Sequence, residues 1–159
     1  MVNRGKTSFF RGRKGIIISL IIIILIGIQF YRPGKNVQKK TLYNDFLKNE
    51  KTPEDIAELI KNSCYNCHSD FTNYYWYDHI APASWYVDNH IKDAKSHLNF
   101  SKWRKMDFRD KRANLSRIIT ELNEDKMPLK SYTLMHPKAK LTEGEKKKII
   151  DWLNTIEVR

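Results

Sequence analysis

Residues Thr52 to His68 read TPEDIAELIKNSCYNCH, and this stretch decides the fold. Thr52 followed by Pro53 and two acidic residues is typical of a helix N-terminus, because a threonine caps the first amides and the acids favour the positive end of the helix. Every fourth residue from Ile56 to Cys64 is apolar, and one further step of four reaches His68. The spacing predicts a helix with one hydrophobic face that runs directly into the cysteine pair.

The end of this stretch, Cys64-Tyr65-Asn66-Cys67-His68, is a C-x-x-C-H pattern, the attachment signature of c-type haem. Two thiols at this spacing reach the two vinyl groups of one porphyrin and form thioethers. The histidine lies on the same helical face and points at the iron. The sequence predicts one covalently attached haem c, held by Cys64 and Cys67, with His68 as the proximal iron ligand.

Two other interpretations of the cysteine pair are less favoured. A thioredoxin-like dithiol is expected at the start of a helix after a strand, whereas here the helical pattern precedes Cys64. A zinc site needs two more cysteine or histidine ligands at close spacing. The chain has no third cysteine, and the nearest histidines are His79, His90 and His97.

The N-terminal part contains a long apolar stretch. From Gly15 to Tyr31 no residue is charged and nine are isoleucines, and such a helix is about 25 Å long, the short end of a membrane span. A cleaved signal peptide has a similar pattern, but no small-x-small cleavage site follows this stretch. We therefore predict an uncleaved transmembrane anchor over residues 15–31.

Charge gives the expected orientation. The chain has 29 Lys+Arg against 18 Asp+Glu, a net charge of +11, and five of the basic residues precede the span. The Lys/Arg bias predicts that residues 1–14 form a cytoplasmic tail and that the chain after the span lies in the periplasm, anchored in the inner membrane. Residues 32–51 are polar and predict a linker, with a short helix over 41–48. The haem domain is expected over 52–159. With 41% apolar residues, wholesale disorder is excluded.

The rest of the chain predicts further helices. One starts near Pro82, another covers about 109–124, and a last one opens at Thr142, which forms a capping box with Glu145. No alternating strand pattern occurs. The predicted fold class is all-α, a cytochrome c-like haem domain of about four helices behind the transmembrane helix.

The sequence also resembles known haem proteins. Residues 53–68 resemble the N-terminal helix and haem motif of class I cytochromes c, and Met127-Pro128 followed by DWL at 151–153 is similar to their methionine loop and C-terminal helix. The run SWYVDNHIKDAKSHLNFSKW and the run KMPLKSYTLMHPKAKLT resemble the small membrane-anchored haem-binding domain family over roughly residues 45–155. This resemblance implies a haem protein, without implying a substrate.

The resemblance to class I cytochromes implies Met127 as the distal iron ligand. A thioether raises the haem potential and closes the sixth position, and Pro128 stiffens the loop that presents the sulfur. The stretch between this loop and the last helix is longer here than in a small class I cytochrome. Met135, a second histidine such as His90 or His97, and an open distal site therefore remain alternatives.

Two functions are compatible with these features. The first is a single-electron carrier, not an enzyme, with a redox protein as partner, which the basic surface suggests is acidic. The second is a gas or redox sensor, or a peroxidase-like protein, with a replaceable distal ligand. Nucleic-acid binding is disfavoured because the domain is expected outside the cytoplasm and its charges are interleaved. The aromatic residues of YYWY (74–77) and WY (85–86) either wall the haem crevice or pack in the core.

Overall fold

The computed structural model describes residues 12–37 and 44–157. In these residues the secondary structure is helical, apart from one isolated bridge between Val37 and Phe71. The all-α fold class is therefore confirmed for the described part of the chain. The helices are α1 (Arg13–Gly27), α2 (Phe46–Asn49), α3 (Glu54–Ser63), α4 (Tyr65–His68), α5 (Ala83–His97), α6 (Phe108–Asn123), α7 (Lys130–Met135) and α8 (Glu143–Leu153).

The described residues form two compact units. The first, which we call the N-terminal unit, comprises 12–34 and Tyr74–Asp88. The second, which we call the haem-motif unit, comprises 35–37, 44–73 and 89–157. The chain therefore leaves the haem-motif unit after Asn73 and returns to it at Asn89, within α5.

The N-terminal unit contains the apolar helix. Helix α1 continues as a 3-10 turn over Ile28–Phe30. The helical residues Arg13–Phe30 are long and apolar enough to cross a membrane, and few of them are buried within the protein. The second segment of this unit holds a 3-10 turn at Trp76–His79 and the start of α5.

The haem-motif unit has one hydrophobic core. Its centre is aromatic: the ring of Phe46 lies 4.7 Å from Trp103 and 5.0 Å from Phe100, measured between ring centroids. Phe46 and Trp103 have no exposed surface. Around them pack the buried apolar residues Leu47, Ile56, Ala57, Ile60, Leu98, Leu115, Leu122, Leu141, Ile149 and Leu153. Burial of this periodic apolar set supplies most of the driving force for folding.

Several sequence predictions are confirmed here. Helix α5 begins directly after Pro82, and α6 lies within one residue of its predicted bounds. Helix α8 opens with the predicted capping box: the Glu145 amide donates to Thr142 Oγ1 over 3.3 Å, and the Thr142 amide donates to the Glu145 carboxylate over 2.7 Å. Local side-chain chemistry was enough to locate this helix start.

Other details differ from the expectation. Helix α3 begins at Glu54 without a side-chain cap, and Thr52 Oγ1 is buried with no hydrogen-bond partner among the described residues. The short helices α2, α4 and α7 add to the four predicted ones. Of the short helix expected at 41–48, residues 41–43 lie outside the described residues, and α2 occupies Phe46–Asn49. Phe46, in the stretch predicted as a polar linker, lies at the centre of the core.

Candidate haem-attachment site

The C-x-x-C-H residues form a turn of their own. Helix α3 ends at Ser63, and Cys64 departs from helical geometry with φ −124° and ψ −39°. The Cys64 carbonyl then accepts hydrogen bonds from the amides of Cys67 (3.3 Å) and His68 (3.0 Å). The continuous helical face that the sequence predicted is therefore interrupted at Cys64, and this separate turn brings the three motif residues together.

The His68 ring is held by one of its two nitrogens. Nδ1 lies 3.1 Å from the carbonyl oxygen of Leu98, and because a carbonyl only accepts, Nδ1 carries the proton in this contact. Nε2 of the neutral ring is then the atom with a lone pair, the form that ligates metals. Burial lowers the pKa of His68, although hydrogen bonds to the carbonyls of Leu98 and Ala94 oppose the shift. The site therefore favours the neutral imidazole.

The two cysteines are thiols, and no disulfide joins them. Burial, followed by the neighbouring Cys67, raises the pKa of Cys64 to about 12. Cys64 is consequently protonated at neutral pH. Just before it, the buried hydroxyl of Ser63 has no hydrogen-bond partner among the described residues.

Tyr65, the first residue between the cysteines, fixes the turn to the core. Its ring stacks on Phe100 at 5.0 Å between centroids with an interplanar angle of 7°. Its hydroxyl donates to the Asp45 carboxylate over 3.0 Å, and Asp45 also caps α2 by accepting from the Leu47 amide. Burial, followed by the charge of Asp45, raises the pKa of Tyr65 above its usual range. Tyr65 therefore remains a neutral hydrogen-bond donor.

Asn66, the second residue between the cysteines, joins the turn to two other segments. Its side-chain amide donates to the Tyr132 hydroxyl of α7 over 2.7 Å. Its side-chain oxygen accepts from the Asn73 amide, and its backbone carbonyl accepts from Thr72 Oγ1. Sequence reasoning missed both intervening residues, because the attachment chemistry leaves their identity open and only their spacing is required.

Residues directly after the motif are fixed by the segment that also contacts His68. Lys95 forms an ion pair of 2.7 Å with Asp70, and Asn99 donates to the same carboxylate over 2.8 Å. The Asp70 amide donates to Ser101 Oγ over 3.0 Å. Burial raises the pKa of Asp70, but the hydrogen bonds from Lys95 and Asn99 outweigh it, so the pKa lies below its ordinary value. Residues 95–101 thus position 68–70 through backbone and side-chain contacts.

The three candidate methionines occupy different environments. Met127 is half-buried in the loop after α6, and its amide donates to the Glu121 carbonyl over 3.3 Å. Met106 packs against the core, with its sulfur 3.4 Å from the Asn114 amide nitrogen. Met135 is half-exposed at the end of α7. Of the three, Met106 is the one that packs against the core.

Helix α7 and the 3-10 turn after it pack near the motif. The 3-10 turn Pro137–Ala139 contacts α3, and α7 reaches the motif through the hydrogen bond between Tyr132 and Asn66. On α7, Leu134 is 81% exposed.

The remaining histidines and aromatic residues do not join the motif as a metal cluster. No group of three or more His, Cys, Asp or Glu suited to a metal ion occurs in the described ranges. His97 Nδ1 lies 2.9 Å from the Asp93 carbonyl, and the His136 ring packs on Tyr132 at 4.5 Å. The aromatic residues between Tyr74 and Tyr86 belong to the N-terminal unit, and three of them, Tyr75, Trp76 and Tyr86, are exposed. For these three residues, the prediction that they pack in the core is wrong.

The side chains of this turn are of the types that could hold a haem. The turn carries two thiols, the His68 ring has one nitrogen directed by the protein, and the Phe100 ring lies 6.2 Å from it. A model of the haem-binding domain matches residues 23–155, most of the chain. Neither the curated proteins nor the solved structures contain a match. The chain belongs to the haem-binding domain family.

Proposed function

We propose that this protein is a membrane-anchored monohaem c-type cytochrome that transfers single electrons. The observation that carries the proposal is the hydrogen bond from His68 Nδ1 to Leu98, in a turn that also presents two thiols. A histidine fixed through Nδ1 presents Nε2 as an iron ligand in a defined orientation. A fixed axial ligand suits electron transfer, because the iron coordination then changes little between oxidation states.

The covalent attachment uses only groups that the turn supplies. Each thiol of Cys64 and Cys67 would add across one vinyl double bond, with sulfur bonding to the carbon next to the ring and the thiol hydrogen going to the terminal carbon. Such an addition needs no external oxidant or reductant. Bound haem supplies an iron that cycles between the ferrous and ferric states.

Met127 would close the sixth coordination position. The Glu121 carbonyl holds its amide, and Pro128 restricts the next residue. The hydrogen bond from Asn66 ties Tyr132 of the following helix α7 to the turn that carries His68. A closed, six-coordinate site would suit an electron carrier.

The first experiment tests covalent attachment. Protein matured with a periplasmic cytochrome assembly system should retain haem through denaturing electrophoresis and acid-acetone extraction. Replacing both cysteines, Cys64→Ser with Cys67→Ser, should abolish this retention, whereas Ser63→Ala should keep it. Complete extraction of haem from the wild-type protein would refute c-type attachment.

The second experiment tests the distal ligand. Wild-type protein should be low-spin in both oxidation states and bind CO poorly, and Met127→Ala should bind CO readily and have a lower potential. Met135→Ala is the matched control and should leave the spectrum unchanged. Rapid CO binding by the wild type would instead favour a sensor or peroxidase-like function. An unchanged Met127→Ala spectrum would eliminate Met127 as the ligand.

We also propose that α1 anchors the protein with the haem-motif unit in the periplasm. The support is the long apolar helix, whose uncharged stretch from Gly15 onward is preceded by five basic residues. Full-length protein should remain in the membrane pellet after a carbonate wash, and protease added to spheroplasts should cleave residues after 31. A soluble product that begins after residue 31 would contradict the anchor.

A further inference from the structure

The second segment of the N-terminal unit, Tyr74–Asp88, is rich in exposed aromatic side chains. Six of its fifteen residues are Tyr or Trp, and it contains neither lysine nor arginine. Trp76 is 71% exposed, and Tyr75, Ile80 and Tyr86 are exposed as well. Large aromatic rings left in water are costly, since each buries substantial apolar area when it finds a partner. Such a patch marks a contact surface.

A single side chain fastens this segment to the end of the apolar helix. Gln29 Nε2 donates to the Ala81 carbonyl over 3.0 Å, and the Ala81 amide donates to Gln29 Oε1, also over 3.0 Å. This two-point pairing between a side-chain amide and one backbone residue fixes both distance and orientation. Ala81 is buried as a result of this packing.

A second contact fastens the segment one turn further along. The Trp85 indole N–H donates to the Tyr31 carbonyl over 3.0 Å. The rings of Tyr31 and Trp85 pack edge to face, with centroids 5.7 Å apart. The polar edge of Trp85 is therefore satisfied by the protein, while Tyr31 itself remains exposed.

The segment has two acidic residues, and neither is exposed: Asp78 is buried and Asp88 is half-buried. The Asp78 carboxylate accepts a hydrogen bond of 2.6 Å from the Tyr75 amide. Tyr77 stacks on Tyr75 at 6.0 Å and meets Trp76 edge to face at 5.8 Å. The outward surface of the turn therefore consists of rings rather than charges.

We propose that residues 74–88 lie in the headgroup layer of the phospholipid bilayer and insert Trp76 and Tyr86 into it. This inference rests on the proposed membrane anchor. The uncharged stretch from Gly15 to Tyr31 is about 25 Å long, enough to cross the hydrocarbon layer at the short end of the usual range. Gln29 fastens the aromatic segment at the end of that length. Trp and Tyr concentrate at this depth because their rings are apolar and their N–H and O–H groups remain hydrated.

The test uses lipid photocrosslinking in the full-length, membrane-embedded protein. Benzoylphenylalanine is introduced at one position at a time, in place of Trp76, Tyr86, Ile22 or Phe108, in cells with radiolabelled phospholipid. Ile22 is the positive control within the span. Phe108 measures the yield at an exposed aromatic residue of the haem-motif unit for comparison. Irradiation should crosslink phospholipid at 22, 76 and 86.

Each other outcome has a distinct meaning. Lipid crosslinks at 22 but not at 76 or 86 would overturn the aromatic proposal and leave the anchor intact. No lipid crosslink at 22 would overturn the anchor itself. Crosslinks from 76 to a protein instead of to lipid would also overturn the proposal.

A second variant tests the role of Gln29. Gln29→Leu keeps the apolar length of the helix but removes both hydrogen bonds to Ala81. Lipid crosslinking at 76 should then be lost or strongly reduced, while crosslinking at 22 is unchanged. An undiminished yield at 76 would show that Gln29 does not position the segment.

Discussion

The two units differ in how far they bury a tryptophan side chain. In the haem-motif unit Trp103 has no exposed surface, and its indole N–H donates to Glu50 over 2.6 Å. In the N-terminal unit Trp76 leaves most of its surface exposed. A ring enclosed by its own chain contributes to folding, whereas an exposed ring needs another environment. The comparison separates aromatic residues that stabilise the fold from aromatic residues that the fold leaves exposed.

The largest expected effect is on stability. Trp103→Ala should lower the free energy of unfolding by about 3–5 kcal/mol, because it removes a fully buried ring. Trp76→Ala should change it by less than about 0.5 kcal/mol. Guanidinium unfolding of the full-length protein in detergent micelles, followed by far-UV ellipticity, measures both. Equal losses for the two variants would break the comparison between the units.

The next effect concerns the ion pair beside the haem motif. Asp70 has a lowered pKa in the folded protein, so its contribution is complete above its unfolded pKa of about 3.9 and is lost as the pH falls through its folded pKa. Asp70→Asn should cost about 1–3 kcal/mol at pH 7, and the cost should shrink as the pH falls through the folded pKa of Asp70. Unfolding midpoints over a series of decreasing pH values give the result. A pH-independent difference would mean that the charge of Asp70 does not stabilise this unit.

A smaller effect is expected at Asn66. Asn66→Ala removes the hydrogen bond to Tyr132 and should cost about 1 kcal/mol. Tyr132→Phe deletes the same contact from the other side, so the double variant should cost less than the sum of the two single ones. Additive losses would indicate that Asn66 and Tyr132 act independently.

The smallest effect compares two threonines that the sequence marks as helix caps. Thr142→Ala should cost about 1 kcal/mol, because the capping box of α8 is formed. Thr52→Val should be neutral or slightly stabilising, because the Thr52 hydroxyl is buried without a partner among the described residues. A loss at Thr52 as large as at Thr142 would contradict the assignment of the α3 start.

Periodicity and caps predicted the parts of the fold that depend on neighbouring residues. The starts of α5 and α8 and the extent of α6 follow from Pro82, from Thr142 with Glu145, and from the apolar spacing in α6. The break at Cys64 was not predictable in this way. Helical spacing continues through it, and the break depends on tertiary contacts that hold Tyr65 and Asn66 on either side of the turn.

In the candidate site, too, some residues could be predicted from the sequence and others could not. Cys64, Cys67 and His68 could be selected from the sequence because the chemistry requires those residue types at that spacing. The Leu98 carbonyl that accepts from His68 could not be, since any residue supplies a carbonyl and 30 positions separate the two residues. The contact of Tyr132 with Asn66 could not be predicted either, since no local sequence pattern links the two residues.

Phe46 has a practical consequence for obtaining a soluble form of the haem-motif unit. A truncation at residue 52, where the sequence suggested that the domain begins, would delete a ring that packs on Phe100, Trp103 and Trp152. It would also delete Asp45, the acceptor for the Tyr65 hydroxyl. The shortened chain would expose the aromatic rings that pack on Phe46 and would be prone to aggregation. A secreted version for crystallisation or electrochemistry should therefore begin upstream of Asp45.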